Sequence, residues 1–132
     1  MFKKVMVIDD SEIDRYIATY NIKKYGFAEE VIESASASEA LQYLKSFANT
    51  PGELPDFIFL DIRMPEMDGF EFLAEYEKLS VDIKEKCICM MLSASLDPAD
   101  YKLAKENKHL NRFINKPLDK KKLNSLAESV KV

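Results

Sequence analysis

Four short apolar runs in this 132-residue chain each end in a polar group able to do chemistry. Val5-Met6-Val7-Ile8 runs into Asp9-Asp10, and Phe57-Ile58-Phe59-Leu60 into Asp61. Cys87-Ile88-Cys89-Met90-Met91-Leu92 runs into Ser93, and Arg112-Phe113-Ile114 leads through Asn115 to Lys116. Gathered in one place, these are three carboxylates, a hydroxyl and an ammonium. Two carboxylates about 5 Å apart repel by roughly 3 kcal/mol at an effective dielectric of 20, and each raises the pKa of the other. A hard divalent cation with oxygen ligands relieves that repulsion, and Mg²⁺ takes a few carboxylates together with water and phosphate oxygens. A carboxylate can attack phosphorus and become an acyl phosphate. The charge spreading over the phosphoryl oxygens then needs cations and donors, which Mg²⁺, Lys116 and the Ser93 hydroxyl would supply. Taken singly, each residue has an ordinary reading as well. Asp61, Asp9 or Asp10 could cap a helix, Ser93 could be a strand-end hydroxyl, and Lys116 a solvated charge.

These groups share a rim only if the runs are parallel strands. An apolar run with no polar face suits a strand buried on both sides, the habit of parallel sheets, whose chemistry sits beyond the carboxyl ends of the strands. After Asp61 the segment Met64-Pro65 cannot continue a ladder, and Gly69 offers a position where positive φ costs little. Between the runs the spacing predicts helices. Ser11 with Asp14 makes a capping-box-like start, Ile13, Ile17 and Tyr20 keep helical spacing, and Gly26 suits the C′ position. Val31-Ile32 reads as a second strand, and Ser36 or Ser38 caps a helix bearing Ala40, Leu41, Leu44 and Phe47. Asn49–Pro55 is a loop. A third helix is expected near Phe70–Leu79, with Leu73, Tyr76 and Leu79 on one side. Asp97-Pro98 opens a fourth, and Asp119 caps a last one carrying Leu123, Leu126, Ala127 and Val130. Five strand-helix units imply a doubly wound α/β sheet with right-handed crossovers. Periodicity does not give the strand order.

Composition narrows the classes. With 47% hydrophobic and 32% charged residues the chain suits one globular domain. A net charge of −4 gives no general attraction to nucleic acid. No apolar run is long enough to span a bilayer, and the N-terminus lacks a signal-peptide cleavage site. Cys87 and Cys89 read as buried free thiols of a reducing cytoplasm. The single histidine, His109, argues against structural zinc. With three glycines and no phosphate-cradling loop, a dinucleotide oxidoreductase is excluded.

In order along the chain, Val7-Ile8-Asp9-Asp10, Leu60-Asp61-Ile62-Arg63-Met64-Pro65 with Gly69, Ser93-Ala94 and Lys116-Pro117 resemble the motifs of the response regulator receiver domain, the phospho-acceptor half of two-component signalling. The resemblance covers residues 1–132 as one receiver domain of the stand-alone, chemotaxis-regulator type. It implies a flavodoxin-like (βα)5 fold with strand order 2-1-3-4-5, an order for which a member of this family is the standard example. It further implies that Asp61 is the phospho-acceptor and that Mg²⁺ is held by Asp10, Asp9 (through water), Asp61 and the backbone carbonyl of Arg63. Ser93 and Lys116 would contact the phosphoryl group, and the Lys116–Pro117 bond would be cis. Phe113 stands at the aromatic switch position, with simple core packing as its other reading. Arg63 and Ser95 occupy positions that tune autodephosphorylation, and Arg63 could contact the phosphoryl group or be solvated. The implied protein is a cytoplasmic switch, not an enzyme beyond its own phosphorylation and dephosphorylation. It would be charged by a sensor histidine kinase or histidine phosphotransfer protein, and the face of the fourth helix, fifth strand and fifth helix would answer to a downstream protein. The chain ends after the last helix, so no output domain is expected, nor direct contact with nucleic acid, nor membrane insertion. Lys102, Lys105, Lys108 and lysines 120–122 are either a solvated face or a docking face for an acidic partner.

Two other classes compete. A pseudo-receiver would bind partners without phosphorylation, but every expected active-site position is filled. A haloacid-dehalogenase-like phosphatase needs Asp-x-Asp after its first strand, and neither Asp9-Asp10-Ser11 nor Asp61-Ile62-Arg63 has that spacing.

Overall fold

Alternate residues of the three central strands enter two separate cores, which is why their sequences are apolar throughout. Met6, Ile8, Ile58, Leu60, Cys89 and Met91 pack into one core, and Val5, Val7, Phe57, Phe59, Met90 and Leu92 into the other. The structure, a computed structural model, describes residues 1–129. Its strands are β1 (Phe2–Ile8), β2 (Ala28–Ser34), β3 (Phe57–Leu60), β4 (Ile88–Ser93) and β5 (Leu110–Asn115). All neighbours pair in parallel, in the order β2-β1-β3-β4-β5. The expected flavodoxin-like sheet is therefore the observed one.

The helices are α1 (Glu12–Lys24), α2 (Ala37–Ser46), α3 (Gly69–Glu77), α4 (Val81–Lys86), α5 (Pro98–Glu106) and α6 (Lys120–Ser129). Helices α2, α3 and α4 cover the first core, and α1 and α6 the second. The short α4 was not expected. It buries Ile83 alone, too little for a periodic signal. Strand β2 extends well beyond Val31-Ile32, and Ser36 rather than Ser38 caps α2 by accepting from the Glu39 N–H. Asp97 and Asp119 accept backbone hydrogen bonds at the starts of α5 and α6, as expected. Val130 lies outside the described residues.

The stripe Ile13, Ile17, Tyr20 lies on a helix, as its spacing predicts, and it faces solvent. Ile13 is 72% exposed and Tyr20 49%, while Ala18 and Ile22 make the core face of α1. Gly26 closes that helix at φ 66, with Phe27 N–H donating to Ile22 O and Gly26 N–H to Lys23 O, a Schellman ending. One expectation is corrected at Gly69, whose φ is not positive; in the loop after β3 the left-handed residue is Glu66 at φ 68. Gly69 is needed for closeness. A Cβ there would stand 2.5 Å from the backbone oxygen of Asp61, and its N–H donates to Ile62 O at 2.8 Å.

Candidate functional site

Four of the five strand ends, those of β1, β3, β4 and β5, deliver their polar residues to one cleft of about 380 Å³. Its lining includes Asp9, Asp10, Asp61, Arg63, Ser93 and Lys116. Asp61 follows β3 directly, and its N–H donates to Ile8 O at 3.0 Å, which ties the residue to the neighbouring strand. It caps no helix: Asp68 caps α3, in a reciprocal capping box with Glu71. Asp9 and Asp10 cap none either, because Ser11 caps α1 by accepting from Asp14 N–H. Asp9 is buried and accepts from Ser11 N–H at 2.9 Å, while Asp10 is exposed. Carboxylate oxygens of Asp9, Asp10 and Asp61 all fall within 4.8 Å of one another. Three hard oxygen donors at that spacing suit a divalent cation of the Mg²⁺ kind.

Lys116 follows β5, and its N–H donates to Ser93 O across the strand ends. Its peptide bond to Pro117 is cis. The ammonium lies 2.6 Å from Asp9, 2.8 Å from Asp14 and 3.5 Å from Asp61. Burial works to lower the pKa of Lys116, but hydrogen bonds to Asp14 and Asp9 and the charge of Asp61 outweigh it, so the group is held above its ordinary range. Asp61 goes the other way from an ordinary carboxylate. Desolvation first, and the charge of Asp9 second, push it up to about 6, against the pull of Lys116. Asp14 was expected as a capping partner of Ser11. Its backbone does that, but its side chain reaches Lys116 instead, 102 residues away in sequence.

Ser93, the last residue of β4, is buried, and its Oγ accepts from Ser95 N–H at 3.1 Å. The Arg63 side chain is largely exposed, in keeping with the solvated reading, and it is also paired. Its Nη2 donates to Asp100 Oδ2 at 2.6 Å, and Ser95 Oγ donates to the same oxygen at 2.7 Å. Sequence reading missed Asp100; its one signal was an acid in the first turn of a helix. Phe113 is half-buried against the first core and packs against the Tyr101 ring, centroids 5.5 Å apart. It borders a second groove, of about 340 Å³, together with Arg112, Lys122 and Leu126. Cys87 and Cys89 are free and buried beside Tyr76, their thiols pushed up to about 12 by desolvation.

An acidic cleft with one lysine, set at the carboxyl ends of a parallel 2-1-3-4-5 sheet, defines a receiver domain of two-component signalling. The chain belongs to the response regulator receiver domain family, whose family model matches residues 5–128. A two-component response regulator from Cytophaga hutchinsonii has the same fold, with a TM-score of 0.89, 30% identity and coverage of 98% of this chain and 96% of that one. Histidine kinase 2 of Arabidopsis thaliana is 36% identical over 94 residues, which are 71% of this chain and 7% of that protein. The alkaline phosphatase synthesis transcriptional regulatory protein PhoP of Bacillus subtilis is 28% identical over 132 residues, 98% of this chain and 49% of that protein. This chain thus spans half or less of the length of these two relatives. No helix among the described residues is long and apolar enough to cross a membrane.

Proposed function

We propose that residues 1–132 form a single receiver domain that accepts a phosphoryl group on Asp61 from a phosphohistidine of a sensor histidine kinase or histidine phosphotransfer protein. The observation that carries this reading is the placing of Asp61, a desolvated carboxylate at the floor of a cleft with Lys116 Nζ 3.5 Å away. An Asp61 oxygen attacks phosphorus, the bond from phosphorus to the donor imidazole nitrogen breaks, and that nitrogen keeps the electron pair. Mg²⁺ held by Asp9, Asp10, Asp61 and the main-chain carbonyl of Arg63 would supply positive charge against the phosphoryl oxygens. Lys116 then exchanges part of its contact with Asp9 and Asp14 for a phosphoryl oxygen. Ser93 supplies a hydroxyl from the neighbouring strand end. Hydrolysis returns phosphate and the free carboxylate, so the domain turns over no substrate other than itself.

The new charge redraws the contacts of Ser93 and Lys116, and the half-buried Phe113 beside the groove of α5, β5 and α6 is the aromatic group placed to follow. A downstream protein would read that face. The exposed stripe Ile13, Tyr16, Ile17 and Tyr20 begins beside Asp10, and supports docking of the donor next to the cleft. Free, buried Cys87 and Cys89 fit a reducing compartment, the cytoplasm. The test is intact mass after incubation with Mg²⁺ and acetyl phosphate, alone and with a histidine phosphotransfer protein, beside Asp61→Asn. One phosphate is expected on the wild type and none on the variant. No phosphate from either donor, with no binding of fluoroberyllate, would leave a phosphorylation-independent interaction module.

A further inference from the structure

One buried carboxylate beside the cleft has no part in the scheme above. Asp100 stands in the first turn of α5, is 5% exposed, and ties together the two loops that frame the mouth. From the loop after β3 it holds Arg63, and from the loop after β4 it holds Ser95, both on Oδ2. Ser95 is in turn fixed from both sides: its N–H donates to Ser93 Oγ, and its Oγ accepts from Asp97 N–H at 3.2 Å. The connection therefore runs from the buried strand-end hydroxyl, through Ser95 and Asp100, to the guanidinium of Arg63. The Arg63 side chain is 64% exposed, and Asp100 is its one ion-pair partner among the described residues. Without Asp100 no ion pair among the described residues would keep it at the mouth. An exposed ion pair is ordinarily worth little. Here the acid is buried and shared, and losing the arginine leaves a desolvated charge, so the contact is held.

We propose that Asp100 is a positioning residue that sets the lifetime of the phosphoryl group on Asp61, by holding Arg63 and Ser95 across the mouth of the cleft. This rests on the phospho-acceptor reading. In hydrolysis a water oxygen attacks phosphorus while the bond to the Asp61 oxygen breaks; the carboxylate leaves with the electron pair, and the water proton passes to solvent. Attacking and leaving oxygens lie roughly in line. Asp61 forms the floor, so the water enters from the mouth, where Arg63 and Ser95 line the cleft. A fixed guanidinium there narrows the approach.

The experiment compares decay of phosphorylated wild type, Asp100→Asn, Arg63→Gln and the double variant after removal of acetyl phosphate, with thermal unfolding as a check on folding. Each single variant is expected to lose phosphate faster by about fivefold or more. The double variant should be no faster than the faster single, since both changes remove one contact. A merely structural role for Asp100 would shift unfolding and add to the effect of Arg63→Gln. Should Asp100→Asn not fold, Arg63→Gln, altered on an exposed side chain, still tests the contact. Unchanged or slower decay, or additive effects, overturns the proposal while the phospho-acceptor reading stands. A wild type that takes up no phosphate overturns both.

Discussion

Two aspartates bracket β3, and they live under opposite rules. Asp56 precedes the strand at the bottom of the sheet, and Asp61 follows it at the top. Burial works to raise the pKa of Asp56, but Lys86 and the backbone N–H groups of Lys4 and Lys3 outweigh it and hold the carboxyl below its usual range. Nearby Lys4 is likewise matched, by Glu53 at 2.9 Å and Glu30 at 3.6 Å. At the top one ammonium serves three carboxylates, and Asp61 is left raised to about 6. The chain balances charge where it needs only to fold, and leaves it unbalanced where it needs a nucleophile and a place for a cation.

The contrast breaks most visibly in stability. Asp56→Ala is expected to cost about 2–3 kcal/mol in urea unfolding, because it strands Lys86 and two backbone donors. Asp61→Asn should instead stabilise by about 1 kcal/mol at pH 7 without divalent cations, a rise in Tm of roughly 3–4 °C. An Asp61→Asn protein less stable than wild type at pH 7 would contradict the unbalanced reading of the top.

The pH dependence sharpens the pair. Asp61 has a folded pKa of about 6, above its ordinary value of 3.8. The folded state therefore binds its proton more tightly, and the stability this confers is complete at low pH and lost as pH rises through 6. The advantage of Asp61→Asn should accordingly be full at pH 7–8 and fade as pH falls through 6 toward 4. Asp56, with a lowered folded pKa, stabilises above its unfolded value and loses that only in stronger acid. The deficit of an Asp56→Asn variant should stay flat from about pH 5 to 8. Thermal melts across that range read both curves.

The smallest expected effect makes the top resemble the bottom. Asp14→Asn removes one of the three carboxylates sharing Lys116 and turns the ammonium toward Asp61. The titration midpoint of Asp61, followed by carboxyl ¹³C NMR, should fall by about half a unit. No change would mean that Asp14 takes nothing from the site.

What the sequence disclosed and what it withheld divide along a physical line. The groups at the strand ends were legible because their position depends on local facts: an apolar run stops, and the next residue stands at the rim. The caps at Ser11, Asp97 and Asp119 were legible for the same reason. Asp14 and Asp100 were not. Each was ordinary where it stood, an acid in the first turn of a helix, and each acts on a residue far away in the chain, at 102 and 37 positions' separation. The stripe on α1 announced the helix but not its orientation, because periodicity reports that residues share a face, not whether that face meets the core. Gly69 was singled out correctly, but for the wrong property.

That glycine has a consequence for how the domain can diversify. With its N–H bonded to Ile62 O and its Cα pressed against the carbonyl of Asp61, it clasps the two ends of the intervening loop together. Between its ends the exposed Pro65 and Glu66 hang from that clasp like a cassette, with Met64 and Met67 packed on the first core beside them. The two exposed positions can be exchanged to suit different partners without moving the strand end that carries Asp61. The clasp has no such freedom, since any side chain at position 69 forces α3 and the loop apart.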